Sequence, residues 1–157
     1  MQRIDRPSSN HDDRGGAAID MLVLHYTGMK TAEEALARLC DPAAKVSAHY
    51  TIDRDGTIYA HVSEAERAWH AGVSYWAGER NVNARSIGIE IVNDGSGKTP
   101  FTEAQYKSLT QLVGYLKQEY KVPMDNIVGH KDVAVPKGRK TDPASNFDWT
   151  RLRKGIS

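Results

Sequence analysis

Two histidines and one aspartate could together bind a metal ion. His25 follows an apolar run, His130 ends a second one, and Asp142 lies twelve residues further on. Two imidazoles and a carboxylate suit zinc, and three protein ligands leave the fourth tetrahedral position for water. Taken singly, each residue has a plainer interpretation, because such a His is more often a hydrogen-bonded core residue and Asp142 precedes Pro143 in a turn. The combination favours a catalytic zinc site, and no His-Glu-x-x-His helix is present.

Glu90 is the predicted general base. Isoleucines alternate along residues 86–92, which puts Glu90 on the opposite face of the strand, beside Gly88. Apolar neighbours should raise the pKa of this carboxylate, as a general base requires. Gly88 should leave open space where a substrate or metal approaches. The alternative is a structural ion pair, for which Arg85 is the obvious partner.

Lys140 is a second predicted catalytic residue, two positions before Asp142. The residue before a proline favours an extended backbone, so the Lys140 and Asp142 side chains should project to one side. An ammonium group beside a metal could stabilise a developing oxyanion. The alternative is a solvated basic run, and we prefer that interpretation for the neighbouring Lys137 and Arg139.

The elements that must position these residues form a single α+β domain over residues 1–157, with a central mixed β-sheet flanked by helices on both sides. Residues 1–17 are polar and turn-rich, and we expect an extended arm lying on the domain. The strands, hairpin and helices follow from apolar periodicity, an Asp-Gly turn and two capping boxes. They are strands at 18–26, 86–92 and 126–130, a hairpin at 50–59, a helix after Thr31 and a longer helix after Thr102.

Composition limits the class of protein. The chain has 157 residues, 39% of them hydrophobic and 26% charged, as in globular domains. A net charge of +1 gives no reason to expect nucleic acid as a partner. The single cysteine, Cys40, excludes an intrachain disulfide and Cys-rich zinc sites. We expect a monomer without a membrane span, located in the cytoplasm, or in the periplasm if a signal sequence has been removed.

Six segments together resemble the zinc-dependent N-acetylmuramoyl-L-alanine amidases, and most closely the anhydromuramoyl-peptide amidases of Gram-negative bacteria. The segments are His25-Tyr-Thr, Ala68-Trp-His-Ala-Gly72, Asn83-x-x-Ser-Ile-Gly-Ile-Glu90, Phe101-Thr-x-Ala-Gln105, Gly129-His130-x-Asp132 and Gly138-Arg-Lys-Thr-Asp-Pro143. The resemblance runs from about Asp20 to Leu152. It implies the fold of phage amidase lysozymes and peptidoglycan recognition proteins. It also implies Zn²⁺ on His25, His130 and Asp142, with Glu90 and Lys140 catalytic.

The sequence departs from the family at two positions near the ligands. Phage-lysozyme members have a catalytic Tyr where this chain has Ala48, so the acid–base role falls to Glu90. The cytoplasmic members follow the first ligand with Asn, whereas this chain has Tyr26. The predicted substrate contacts are His70, Trp76, Tyr26 and Asn83. Among the other histidines, we expect His49 to be structural and His61 and His11 to face solvent.

The function implied is hydrolysis of the amide between N-acetylmuramic, or 1,6-anhydro-N-acetylmuramic, acid and L-alanine of the stem peptide. The partners would be peptidoglycan fragments or muropeptides in cell-wall turnover or recycling. One alternative is a non-catalytic muropeptide-binding module, which in this fold typically lacks a zinc ligand. The other is a phage or secreted lysin.

Overall fold

A six-stranded mixed sheet forms the centre of the protein in the computed structural model, which describes all residues from 1 to 157. The strands are β1 (Ile4–Asp5), β2 (His11–Asp12), β3 (Met21–Tyr26), β4 (Tyr50–Ile52), β5 (Ile58–Ala60), β6 (Arg67–Ala68), β7 (Tyr75–Trp76), β8 (Glu79–Arg80), β9 (Ser86–Ile91) and β10 (Ile127–Gly129). The strand order in the main sheet is β1-β5-β4-β9-β3-β10. Strands β2 and β6 form one small sheet, and β7 and β8 form another.

The helices lie on both faces of this sheet, as the sequence predicts. They are α1 (Ala32–Leu39), α2 (Val82–Arg85), α3 (Glu103–Tyr120), α4 (His130–Val133) and α5 (Trp149–Gly155), with 3₁₀ turns at Pro42–Ala44 and Met124–Asn126. Helix α3 packs on the face of the sheet that carries the isoleucines of β9. Helices α2 and α4 cover the opposite face, around Met21 and Val23. No helix combines the length and the apolar character that crossing a bilayer requires.

Strands β4, β9, β3 and β10 run parallel to one another, and this arrangement creates the site. All four end at the same edge of the sheet. In the register of β3 and β9, His25 pairs with Glu90. Neighbouring residues in register project to the same face, so these two side chains lie side by side on the face opposite α3.

The predicted hairpin is confirmed, and so is the second of the two predicted capping boxes. The first is only half formed, because the Thr31 hydroxyl accepts from the Glu34 N–H but the Glu34 side chain does not accept from the Thr31 N–H. Strands β4 and β5 pair antiparallel around the Asp55-Gly56 turn. At the start of α3 the Thr102 hydroxyl accepts a hydrogen bond from the Gln105 backbone N–H, and the Gln105 side chain accepts one from the Thr102 N–H. The buried Gln105 amide also donates to the carbonyl of Val92, at 2.8 Å, which ties the helix to the end of β9.

The N-terminal segment adds strands to the domain. Strand β1 pairs in parallel with β5, and β2 pairs antiparallel with β6. The buried Arg14 guanidinium ends this segment and donates to the carbonyls of Glu64, Asn83 and Ala84. Residues 1–14, which precede the central strand β3, therefore contact parts of the fold that are distant from them in the sequence.

The structure bears out two of the expectations for the remaining histidines, the structural His49 and the exposed His11, and contradicts the one for His61. His49 is fully buried, and its ring accepts a hydrogen bond from the Gly88 N–H, so it is structural. The prediction that His61 faces solvent is wrong, because only 4% of its surface is exposed. Its ring contacts the Thr51 hydroxyl at 2.7 Å and the Arg6 carbonyl at 2.7 Å. The arm residue Arg6 thus supplies one of the two contacts that make burial of His61 possible.

Candidate active site

The three predicted metal ligands meet at the edge where the parallel strands end. His25 lies near the end of β3, His130 is the first residue after β10, and Asp142 comes from the loop that follows α4. All three side chains are buried. The sequence separates them by up to 117 residues, and the sheet brings them together.

The ligand atoms converge on one point. The Nδ1 atoms of His25 and His130 are 3.1 Å apart, and Oδ2 of Asp142 lies 2.8 Å from the first and 3.1 Å from the second. Ligands about 2.0 Å from a tetrahedral zinc ion are separated by about 3.3 Å, so this spacing is close to that of a zinc site. The triangle of two nitrogens and one oxygen is therefore compact enough for one small divalent cation.

Three electron-rich atoms so close together need a positive charge among them. Burial lowers the pKa of His25, which makes a proton on that ring a poor source of this charge. Burial would raise the pKa of Asp142, but the close contacts of its carboxylate with the His130 and His25 rings outweigh this effect and hold that pKa below its usual range. The carboxylate is thus charged, and the donor set fits Zn²⁺.

The second nitrogen of the His130 ring indicates the tautomer that a metal requires. Nε2 of His130 lies 2.9 Å from the carbonyl oxygen of Ala71. A carbonyl can only accept a hydrogen bond, so Nε2 carries the proton. In the neutral ring the lone pair is then on Nδ1, which is the atom directed at His25 and Asp142.

Glu90 lies beside this triad, and its carboxylate is only partly satisfied. Oε1 is 4.0 Å from Nδ1 of His25, and Oε2 is buried without a hydrogen-bond partner. Burial, reinforced by the nearby charge of Asp142 and partly offset by Lys140, raises the pKa of Glu90 well above its usual value. The ion pair considered from the sequence is absent, because the Arg85 guanidinium instead binds Asp20 at 2.7 and 2.8 Å.

Gly88 does not leave the open space that the sequence suggested. A Cβ atom at this position would lie 2.4 Å from the His70 ring, so the space beside Glu90 is filled by that imidazole. The expectation of an approach for substrate or metal over Gly88 is wrong. Glycine is required here because another side chain packs against the backbone.

A cavity of about 230 Å³ opens over the ligands. Glu90, all three ligands and Lys140 line it. The Lys140 side chain is exposed and makes no ion pair. An unpaired ammonium, a buried carboxylate and a three-ligand centre therefore share one cavity.

Two of the four residues proposed to contact substrate line this cavity. These are Tyr26 and His70. The Tyr26 hydroxyl is 2.7 Å from the Thr141 hydroxyl, and the Tyr26 ring lies against Gly95, so the side chain bridges two loops at the cavity mouth.

The other two, Trp76 and Asn83, lie outside the lining. Trp76 packs against the apolar group around Met21 and donates to the Asn126 side chain. The Asn83 side chain accepts hydrogen bonds from the backbone N–H groups of His70 and Ala71. Their side chains thus have structural contacts in place of the expected ones.

Sequence reasoning missed several cavity residues. The cavity is also lined by Arg38 and Leu39 of α1, by Ser47 and by Trp69. Of these, only Trp69 had a signal, since it precedes His70 in one of the six segments. The others belong to an ordinary amphipathic helix and to a polar loop, which have no chemical pattern of their own.

Comparison with known proteins places these features in a family. The family model described as N-acetylmuramoyl-L-alanine amidase matches residues 15–145. The chain is 48% identical over 113 residues to the 1,6-anhydro-N-acetylmuramyl-L-alanine amidase AmpD of Haemophilus influenzae. That match covers 71% of this chain and 59% of the relative. The chain thus spans somewhat more than half the length of this relative.

Solved structures agree with this family. A selenomethionine derivative of AmpD superimposes with a TM-score of 0.89 at 33% identity, covering 100% of this chain and 96% of the other. AmiD of Escherichia coli, in complex with the substrate anhydro-N-acetylmuramic acid-L-Ala-D-gamma-Glu-L-Lys, gives 0.79 at 35% identity, covering 90% and 59%. The fold is therefore the type 2 amidase fold that the sequence predicts. From the family model and these likenesses, the chain belongs to the N-acetylmuramoyl-L-alanine amidase family.

Proposed function

We propose that this chain is a zinc-dependent hydrolase that cleaves the amide between N-acetylmuramic, or 1,6-anhydro-N-acetylmuramic, acid and L-alanine of peptidoglycan stem peptides. The observation that carries the proposal is the cavity in which an unpartnered oxygen of Glu90 lies beside the His25–His130–Asp142 triangle. A non-catalytic binding module has no need of a buried, unpaired carboxylate at a complete ligand set, because such a group costs stability. The names of the relatives identify the bond.

The proposed ligands are His25 and His130 through Nδ1 and Asp142 through Oδ2. Zn²⁺ held there would supply a Lewis acid for the amide carbonyl and for a water molecule. The donor set is neutral at both imidazoles and negative at the carboxylate, so a bound divalent cation keeps a net positive charge. That remaining charge favours attraction of a carbonyl oxygen.

Glu90 is the proposed general base and acid. Its carboxylate would take a proton from the attacking water and give it to the leaving amine nitrogen of L-alanine. The buried environment that raises the pKa of Glu90 makes its carboxylate a stronger base than an exposed one. The absence of a partner on Oε2 leaves that oxygen available for the proton.

Lys140 is the proposed oxyanion stabiliser. Its ammonium group is unpaired and lines the same cavity, so it can approach the oxygen on which negative charge develops during attack. Within this proposal we expect soluble muropeptides to be cleaved at least as well as polymeric wall, since the net charge of +1 provides no general attraction to an anionic polymer.

The test combines metal analysis with one substitution. Wild-type protein should bind one zinc ion per chain, lose activity on chelation and regain it with zinc. Glu90→Gln should keep the zinc and the melting temperature but lower kcat by about 10²–10⁴-fold, because the amide cannot accept the proton. Mass spectrometry of the products should locate the cut between the muramic acid and L-alanine.

Two results would contradict the proposal. Full activity in protein shown to be zinc-free would exclude the metal role. Turnover per folded molecule that is unchanged in Glu90→Gln, with a lowered melting temperature, would make Glu90 a structural residue. Sacculi and purified anhydro-muropeptide should be assayed in parallel, because efficient digestion of sacculi with negligible turnover of soluble fragments would favour a lysin.

A further inference from the structure

One short segment contacts the outer nitrogens of both histidine ligands. Nε2 of His25 lies 3.0 Å from Nδ1 of His70, and Nε2 of His130 lies 2.9 Å from the carbonyl oxygen of Ala71. His70 and Ala71 are consecutive residues in the loop after β6. Both ligand rings are thus oriented by neighbouring positions of the same loop, on the side away from Asp142.

The backbone of this segment is itself fixed. Oδ1 of Asn83 accepts hydrogen bonds from the N–H groups of His70 and Ala71, at 3.1 and 2.9 Å. Trp69, one residue earlier, donates its N–H to the Ser47 hydroxyl at 2.9 Å. Three successive N–H groups therefore have side-chain acceptors, which holds the loop in place without any pairing to a strand at these positions.

The His70 ring is held equally closely. Its Nε2 is 3.0 Å from the Ser86 hydroxyl, and the ring packs on Gly88, where a Cβ would lie 2.4 Å from Cγ. The ring is buried, with 9% of its surface exposed. Its two nitrogens thus connect His25 at one end with Ser86 at the other, and the ring lies against the β9 backbone at Gly88.

The direction of the hydrogen bond between His25 and His70 decides whether His25 can bind a metal through Nδ1. If Nε2 of His25 donates, its Nδ1 holds a lone pair and can coordinate. If Nδ1 of His70 donates instead, the proton of a neutral His25 must be on Nδ1, which blocks coordination. The Ser86 hydroxyl can accept from Nε2 of His70, which leaves Nδ1 of His70 as the acceptor that His25 requires.

We propose that His70 is a positioning residue that accepts a hydrogen bond from His25 and thereby holds His25 in the tautomer that binds zinc. This inference rests on the proposed zinc site and assigns His70 a role that differs from the substrate contact expected from the sequence. The Ala71 carbonyl likewise accepts a hydrogen bond from Nε2 of His130 and leaves the lone pair of that ring on Nδ1, but a side-chain substitution cannot remove a backbone carbonyl. His70 is therefore the member of the pair that can be tested.

Three substitutions separate the two contacts of the ring. His70→Asn places an amide oxygen about where Nδ1 lies and keeps an acceptor for His25. His70→Gln extends one bond further, about to the position of Nε2, so it can reach Ser86 but leaves His25 without an acceptor. His70→Phe keeps a ring and removes both contacts. His61→Phe is the control, since it removes a buried histidine that has no contact with the ligands.

The measurement is the zinc dissociation constant of each folded variant, obtained by competition with a chelating fluorescent indicator. Loss of a hydrogen-bond partner behind a histidine ligand typically weakens metal binding by about 10–100-fold. We expect that loss in the Phe and Gln variants, near wild-type affinity in the Asn variant, and no change in the His61 control. In zinc-loaded wild type, imidazole ¹⁵N shifts should show His25 protonated on Nε2.

The outcomes distinguish this inference from the proposed function. Wild-type zinc affinity in both the Phe and Gln variants would overturn the positioning role while leaving the zinc site intact. Failure of the wild-type protein itself to bind zinc would overturn the proposed function. If the Phe variant does not fold, the comparison of Asn with Gln decides, because equal zinc affinity in these two polar variants also contradicts the proposal.

Discussion

At the scale of single residues, the site combines a carboxylate whose pKa is lowered with one whose pKa is raised. Asp142 is held in its charged form by the two histidine rings, whereas burial raises the pKa of Glu90. The two groups lie in one cavity and differ in their surroundings, since Oδ2 of Asp142 lies 2.8 and 3.1 Å from the Nδ1 atoms of the two histidines, whereas Oε2 of Glu90 has no hydrogen-bond partner. This difference is consistent with the proposed roles, in which Asp142 binds the cation and Glu90 transfers the proton.

Lys140→Met tests the remaining charged group at this scale. The substitution keeps a long apolar stem and removes the ammonium that we assign to the oxyanion. We expect kcat/KM to fall by about 10²–10³-fold, the usual cost of losing one oxyanion donor, with zinc content and melting temperature unchanged. Lys131→Met is the matched control, because Lys131 is also exposed but does not line the cavity. Equal losses in the two variants, or no loss in either, would contradict the assignment.

At the scale of elements, the site depends on parallel strands that end at one edge of the sheet. Strand β3 supplies His25, β9 supplies Glu90 and β10 leads into His130. Helix α3 lies on the other face and contributes no residue to the cavity. A substitution that weakens the packing of α3 should therefore lower the stability of the protein without changing the chemistry of the site.

Gln105→Ala tests that separation. Gln105 is buried, closes the capping box of α3 and donates to the Val92 carbonyl, so alanine leaves buried backbone groups unpaired. We expect the free energy of unfolding to fall by about 1–3 kcal/mol, measured by denaturant titration, with kcat per folded molecule and zinc content unchanged. Lys107→Ala, at an exposed position of the same helix, should change neither. A parallel loss of turnover in Gln105→Ala would show that the helix and the site are coupled.

Much of the arrangement of strands and helices could be predicted from the sequence, because it follows from local patterns of residues. The alternating isoleucines place Glu90 on the face opposite the core, and the Thr102–Gln105 capping box marks the start of α3. The contact of His25 with His70 and the acceptance by the Ala71 carbonyl could not be predicted in the same way. Both contacts depend on how the loop after β6 packs in space. Every residue has a backbone carbonyl, so the residue types do not show which carbonyl will accept the hydrogen bond.

At the scale of the whole molecule, the unusual feature is a set of buried histidines whose pKa values are lowered by the fold. Burial lowers the pKa values of His25, His49, His61 and His70, in the case of His49 to about 3. Each of these residues takes up a proton near pH 6.5 in the unfolded chain but resists it in the folded one. The pKa shift of Glu90 has the opposite effect, because a raised pKa makes protonation more favourable in the folded state than in the unfolded chain.

The metal-free protein should consequently lose stability as the pH falls. The contribution of each neutral histidine is complete above about pH 6.5 and declines as the pH falls toward its lowered folded-state pKa. Denaturant unfolding at a series of pH values between 7 and 4.5 should show a steadily smaller free energy of unfolding. In His61→Phe the slope should be flatter by up to about 1.4 kcal/mol per pH unit, the value for one proton. A stability that is constant from pH 6.5 to 5 would show that these rings are not neutral in the folded state.

The pairing of β1 with β5 has a further consequence, which concerns contacts between copies of the protein. Backbone N–H groups of Arg6 and Ser8 continue this ladder by donating to the carbonyls of Ala60 and His61, each at 2.9 Å. Without residues 1–9, β5 would be an open edge strand whose unpaired backbone groups can recruit the same strand of another molecule. We expect that truncated variant to polymerise, with a larger mean mass by light scattering than the complete chain at equal concentration. An unchanged mass would mean that short length and twist suffice to protect this edge.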